Sequence, residues 1–189
     1  MKTMRIGILG GSFDPIHHGH LILARAAKEE LGLNRVLLMP ANKSPHKTDT
    51  KPATAEDRLE MVRLAIEGEE GFEVSDVELR RPAPSYTVET LRELKKSHPQ
   101  DEFVLLIGAD NVATFDTWRE PEEIRHLAQI AVLDRAGSAA AHDWPTVRRL
   151  VDISSTDIRA RAADGRSIRY LTPDPVCDYI TRHSLYRTA

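Results

Sequence analysis

Two histidines, His17 and His20, stand three residues apart across Gly19 at the end of the string GGSFDPIHHGH, residues 10–20. Imidazole nitrogens can donate hydrogen bonds to phosphate oxygens. The paired glycines Gly10 and Gly11 let a backbone turn sharply and approach a phosphate closely. Ser12 adds a hydroxyl, and Asp14-Pro15 favours a turn ahead of a helix. The first N–H groups and the dipole of that helix favour an anion. Two histidines are also half of a metal site, but no third ligand is evident nearby. The glycines do not fit the G-x-G-x-x-G spacing of a dinucleotide fingerprint. The chemistry the string suits best is therefore phosphate binding.

A second group, ISSTDIR at residues 153–159, crowds the hydroxyls and N–H groups of Ser154, Ser155 and Thr156 at a helix start, with Arg159 one turn on. Alone it reads as an ordinary helix cap with a solvated arginine. Beside the first cluster, the anion reading is the stronger one. Other residues say less. Lys43, His46 and Lys47 form a basic loop that solvation alone explains, and Trp118 suits packing as well as stacking. Arg148 and Arg149 read as a solvated face, and Cys177 as a small buried hydrophobe in the last helix.

The elements that must position these residues follow from pattern. Arg5–Gly10, Val36–Met39, Phe72–Leu79, Glu102–Ile107 and Gln129–Leu133 read as strands, with Val151–Ile153 a short further one. Helical spacing runs from Gly19 to Glu30 and stops at Gly32. Thr54 with Asp57 resembles a capping box opening a second helix, and Thr87 is placed to cap a third. Ser154 or Ser155 caps a helix that Gly165 stops, and a last helix fits Asp174–His183. Strands alternating with helices predict a Rossmann-like doubly wound α/β fold with a parallel sheet. The whole chain, residues 1–189, reads as one domain with a small C-terminal helical part from about residue 154. Ligands in such sheets bind beyond the carboxyl ends of the strands. The polar clusters do follow strands: residues 10–20, 42–47, 85–87, 108–111 and Arg135 would line one rim.

Composition narrows the function classes. The net charge of −3 gives no overall basic field for nucleic acid. The single cysteine excludes an internal disulfide and a cysteine-based zinc site. The apolar Ile6–Gly11 stretch is too short and glycine-rich for a signal peptide, and no segment reaches the roughly 20 apolar residues that span a bilayer. The expected location is the cytoplasm.

Taken together, GGSFDPIHHGH, PANKSPHK (residues 40–47), SYTVETL (85–91), GADN (108–111) and ISSTDIR closely resemble the bacterial nicotinate-nucleotide adenylyltransferase family. The resemblance runs from Met4 to about Tyr186 and includes the tail RYLTPDPVCDYITRHSLY. The H-x-G-H and I-S-S-T-x-I-R motifs are shared with the wider nucleotidyltransferase superfamily. The P-H-K and S-Y-T segments narrow the likeness to its pyridine-nucleotide branch. Glu89 stands where the family more often has aspartate.

The resemblance implies adenylyl transfer from ATP to nicotinate mononucleotide, giving nicotinate adenine dinucleotide and pyrophosphate in NAD biosynthesis. Mg²⁺ would accompany ATP, with no metal ligand from the protein. ATP would be held by Gly10, Gly11, Ser12, Phe13, His17, His20, Gly108, Asp110, Ser155, Thr156 and Arg159. Of these, His17, His20 and Arg159 would be catalytic, and Asp110 would bind the adenosine ribose. Asn42, Lys47, Ser85, Tyr86, Thr87, Trp118 and Arg135 would hold the mononucleotide. Thr87 and nearby backbone would take its carboxylate, Trp118 its ring, and Lys47 and Arg135 its phosphate. The nucleophile of that reaction is a phosphate oxygen, already largely dianionic at pH 7 because the second pKa of a phosphate monoester is about 6. Direct in-line attack needs neither a protein base nor a covalent intermediate. The barrier is anion repulsion and charge growing on pyrophosphate, which positioning and electrostatics address. Two other readings stay open: an adenylyltransferase for another phosphorylated acceptor, and a non-catalytic nucleotide-binding module on the same fold. Partners would be small molecules, with no nucleic acid or membrane; a homo-oligomer is left open.

Overall fold

The computed structural model describes residues 3–42, 52–135, 137 and 140–187. Six strands, β1 (Arg5–Gly11), β2 (Arg35–Pro40), β3 (Phe72–Val74), β4 (Glu102–Gly108), β5 (Gln129–Asp134) and β6 (Thr146–Arg148), form one sheet in the order β3-β2-β1-β4-β5-β6. Every pairing is parallel. The expected α/β doubly wound sheet is present. Chain direction along the sheet reverses between β1 and β4, which puts the topological switch point directly at the end of the glycine-bearing first strand.

Both faces of the sheet are covered, so its central strands are apolar on both sides. Leu9 of β1 and Val104 and Leu106 of β4 point into one core, which α1 (His18–Glu30), α2 (Ala55–Ala65), α5 (Ser155–Ala163) and α6 (Asp174–Arg182) cover. Ile6, Ile8, Phe103, Leu105 and Ile107 point into the other, covered by α3 (Thr87–Ser97) and α4 (Pro121–Leu127). The chain after β6 thus returns to the α1 face and packs against the loop that follows β1.

The caps formed as the sequence dictates at two helices. Thr54 Oγ1 accepts from the Asp57 N–H at 3.1 Å, and Ser154 Oγ accepts from the Asp157 N–H at 3.1 Å. Gly32 and Gly165 take left-handed backbone, with φ of +61° and +68°, just past α1 and α5, where a side chain would cost energy.

Other expectations are corrected. The strand expected over Phe72–Leu79 ends at Val74, because β3 is an edge strand paired only over three residues with β2. The chain then turns, with the Leu79 N–H bonded to the Asp76 carbonyl, and Val77 enters the opposite core. The sixth strand lies at Thr146–Arg148, not at residues 151–153, where no strand forms. Only Val147 of β6 is buried, so the sequence carried little signal for it. Thr87 is the first residue of α3 rather than its cap; Tyr86 precedes it without a side-chain capping bond. A 3₁₀ helix, Ala109–Thr117, fills the connection after β4.

Candidate active site

The loop after β1 carries the histidine pair. The His17 and His20 rings stack with centroids 3.7 Å apart and an interplanar angle of 27°. The His17 N–H donates to His20 Nδ1 at 3.2 Å. A nitrogen that accepts cannot carry the proton, so neutral His20 bears it on Nε2 and is a hydrogen-bond donor there. Gly19 explains the H-x-G-H spacing: a Cβ at Gly19 would lie 3.0 Å from Nδ1 and Cε1 of His17. Phe13 packs edge-on against His20 at 5.1 Å and holds left-handed backbone, φ +47°. A Cβ at Gly10 would meet no described residue within 4 Å. Packing among the described residues therefore does not demand glycine there.

Burial lowers the His17 pKa from 6.5 to about 4, helped by the positive charge of Arg135 and by His18. His20 is pushed well below its ordinary value, by burial first and then by His17 and Arg135. Both rings are neutral near pH 7. Among the described residues, the buried His17 Nδ1 has no hydrogen-bond partner. The α1 N-terminus is less open than its sequence suggested, since the His18 N–H is taken by the Leu171 carbonyl at 3.0 Å and the His20 N–H by that of His17. Imidazoles, more than backbone amides, supply donors here.

The ISSTDIR segment comes to the same loop. Ser155 Oγ donates to the Pro15 carbonyl at 2.9 Å, and Arg159 Nη1 to the Asp14 carbonyl at 2.7 Å. Arg159 also reaches Thr156 Oγ1 at 3.3 Å. Ser155 and Arg159 thereby fasten the loop that bears the histidines. Arg135, at the end of β5, donates to the Ile153 carbonyl at 3.2 Å and lies close enough to perturb both histidines.

The remaining expected residues lie in the segments that follow β2, β3 and β4. Asp110 is exposed in the first turn of the 3₁₀ helix. A Cβ on Gly108 would fall 2.4 Å from its Oδ1, so Gly108 clears room for this carboxylate. Trp118 ends that helix, half-buried against Phe115 with ring centroids 5.2 Å apart. The next residue, Arg119, lies over the Tyr86 ring at 4.7 Å and pairs with Glu89 at 2.9 Å. The segments holding Ser85, Tyr86 and Thr87 and Trp118 are so drawn together. Ser85 Oγ donates to the Glu78 carbonyl at 3.4 Å. Asn42, at the end of β2, donates to the Arg81 carbonyl at 2.6 Å. Lys47 lies outside the described residues.

Sequence reasoning missed the buried supports. Arg58, 4 % exposed, sits on α2 beneath the rim. It donates to the carbonyls of Ser12 (2.7 Å), Ala41 (2.7 Å) and Asn42 (3.2 Å). The signal was available: Arg58 shares the helical face of Met61 and Val62, where a charge is out of place without partners. Asp14 accepts from the Ala53 N–H at 3.2 Å and from the Tyr186 hydroxyl at 2.7 Å. The 172-residue separation of that last pair left no local pattern to read.

Glycine-bearing backbone at a switch point, neutral imidazoles and a loop held by Arg159 stand together at one end of a Rossmann-like sheet. The cytidylyltransferase-like family model matches residues 8–161, and the chain is a nucleotidyltransferase of that class. Among curated relatives, a probable nicotinate-nucleotide adenylyltransferase of Thermus thermophilus is 47 % identical over 188 residues, spanning 97 % of this chain and 100 % of that protein. One of Thermomicrobium roseum is 44 % identical over 197 residues, spanning 97 % and 92 %. The fold is also that of the Plasmodium falciparum nicotinic acid mononucleotide adenylyltransferase complexed with NaAD (TM-score 0.77, 20 % identity, 97 % of each chain). The chain belongs to the nicotinate-nucleotide adenylyltransferase family, enzymes of adenylyl transfer in NAD biosynthesis.

Proposed function

We propose that this chain joins ATP and nicotinate mononucleotide by direct in-line attack, releasing pyrophosphate, with the two substrates on opposite sides of the switch point. The observation that carries the reading is the neutral stacked pair, His17 and His20, set in a loop fastened by Ser155 and Arg159. Proton-bearing His20 Nε2 supplies a fixed donor for a phosphate oxygen. Arg135 and Arg159 add positive charge where the leaving pyrophosphate gains negative charge. The open face of Gly10 lets the triphosphate approach the backbone of residues 10–13. Asp110 binds the adenosine ribose, beside Gly108. Asn42, Lys47, Ser85, Tyr86, Thr87 and Trp118 receive the mononucleotide. The position of Arg135 beside the histidines favours a place for it where the two substrates' phosphates meet. No group takes a proton from the nucleophile, because a phosphate monoester is already mostly ionised at pH 7.

Among the described residues, no three His, Cys, Asp or Glu side chains converge as a metal site. The donors around the loop suit anions, which fits a Mg²⁺ ion that arrives on ATP and neutralises phosphate charge. No helix among the described residues is long and apolar enough to cross a membrane; a cytoplasmic location and one functional unit over residues 1–189 complete the proposal. The test is pyrophosphate release from ATP with nicotinate mononucleotide, nicotinamide mononucleotide or phosphopantetheine. We expect the acid mononucleotide to be used best. Faster release with either other acceptor assigns the enzyme to that acceptor, and ATP binding with no release leaves only a binding module.

A further inference from the structure

We propose that Arg58 and the Tyr186–Asp14 pair are positioning residues for ATP chemistry: they fix the phosphate loop from beneath without touching substrate. This rests on the reading that residues 10–20 hold the ATP phosphates.

The geometry is specific. The Arg58 guanidinium gathers one carbonyl from the loop after β1, that of Ser12, and two from the chain after β2, those of Ala41 and Asn42. Turning these carbonyls down toward a buried cation leaves fewer acceptors facing an incoming polyanion, and it locks the ends of two neighbouring strands in one geometry. Asp14 does the same from the other side. Its backbone carbonyl receives Arg159, and its carboxylate receives the Ala53 N–H and the Tyr186 hydroxyl. All four side chains are buried: Asp14 at 3 %, Arg58 at 4 %, Tyr186 at 5 % and Arg159 at 8 % exposure. Their hydrogen bonds are strengthened by the low local dielectric and unforgiving of a lost partner.

Tyr186 enters at a conformational cost. Its backbone is left-handed, φ +65°, as is that of Ser184 two residues earlier, φ +51°. Residues other than glycine hold such backbone only where surrounding structure insists. Here the turn after α6 swings the ring into the core, where its hydroxyl meets Asp14. Burial and the Asp14 carboxylate raise the Tyr186 pKa far above its ordinary value, so the hydroxyl remains a donor throughout the working pH range. A second clamp from the same segment, Thr172 Oγ1 to the Ile16 carbonyl at 2.7 Å, holds the residue before His17. The C-terminal segment thus sets the placement of the loop that carries His17 and His20.

The test compares wild type with Tyr186→Phe and Arg58→Lys by steady-state pyrophosphate release and by hydrogen exchange of the peptide spanning residues 10–20. We expect kcat/KM for ATP to fall about tenfold, since small misplacements of catalytic groups are costly. In Tyr186→Phe the KM for nicotinate mononucleotide stays near that of wild type. Exchange quickens in residues 10–20 but not in β4. Folded variants with wild-type kinetics and wild-type loop exchange overturn the proposal. So does a loss shared equally by both substrates with exchange raised everywhere, which marks general destabilisation. If Arg58→Lys does not fold, Tyr186→Phe, which removes one oxygen, decides alone. If wild type itself releases no pyrophosphate with this acceptor, the functional reading fails. The loop proposal is then judged by exchange and by affinity for a non-hydrolysable ATP analogue.

Discussion

The two sides of the rim are built by different means. On the side proposed for phosphate, His17, Asp14, Arg58 and Arg159 are all buried, and the last three are bonded to distant parts of the chain. On the pyridine side, Tyr86 is 37 % exposed, and the Arg119–Glu89 pair that steadies it is 50 % and 39 % exposed. Exposed ion pairs contribute little, roughly 0.2–1 kcal/mol, whereas a buried network loses much more when one member is removed. The difference matches the tasks. Charge that develops in a transition state requires donors that need not reorganise. A pyridine ring and its carboxylate require a surface that discriminates, and that surface tolerates adjustment.

This contrast can be broken most forcefully at Asp14. Asp14→Ala strips the partner from the buried Tyr186 hydroxyl and the Ala53 N–H and removes a negative charge that acts on Arg58; urea unfolding is expected to show a loss of about 3–5 kcal/mol. A loss below about 1 kcal/mol would make the two sides energetically alike. His20→Ala should reduce kcat about 10²- to 10³-fold while circular dichroism and Tm stay near wild type. Unchanged turnover would remove the histidine pair from the chemistry.

The pH dependence of stability comes next. His17 titrates at 6.5 when unfolded and at about 4 when folded. Between those values the unfolded chain binds the extra proton. The stability from neutral His17 is therefore complete above pH 6.5 and is lost as pH falls toward 4, on the order of 3 kcal/mol in all. His20 acts in the same direction. Unfolding free energy measured from pH 7 to pH 4.5 should fall more steeply in wild type than in His17→Asn; parallel curves would show that His17 is not the group responsible. The smallest effect belongs to the pyridine side. Glu89→Ala should shift stability by less than about 1 kcal/mol and alter the KM for the mononucleotide only a few-fold, with kcat retained. A large loss of kcat would show that this side is as rigidly built as the other.

How much of this was legible depends on how local the signal is. The continuous apolar runs that make β1 and β4 strands, the Thr54–Asp57 cap and the glycines ending α1 and α5 are short-range and were readable. The start of β3 was readable but not its end, and β6 was not: both are three-residue edge strands whose extent is set by a neighbour rather than by their own pattern. The site divides in the same way. His17, Gly19 and His20 lie within one turn, and the constraint at Gly19 is a contact between adjacent residues. Arg58, Asp14 and Tyr186 meet only because α2 and the C-terminal segment cover the same face of the sheet.

The alternation of strands and helices, the polar clusters that follow the strands, and the family were all legible in the residues alone. Those depend on residue type and on spacings of a few residues. Long-range packing was needed to show which nitrogen of His20 bears the proton and that Ser155 and Arg159 fasten the loop. It was needed too for the bonds of Arg58 to the Ser12 carbonyl and of Tyr186 to Asp14. Such decisions are made by burial and by contacts between distant segments, which change pKa values and hydrogen-bond partners without changing any local pattern.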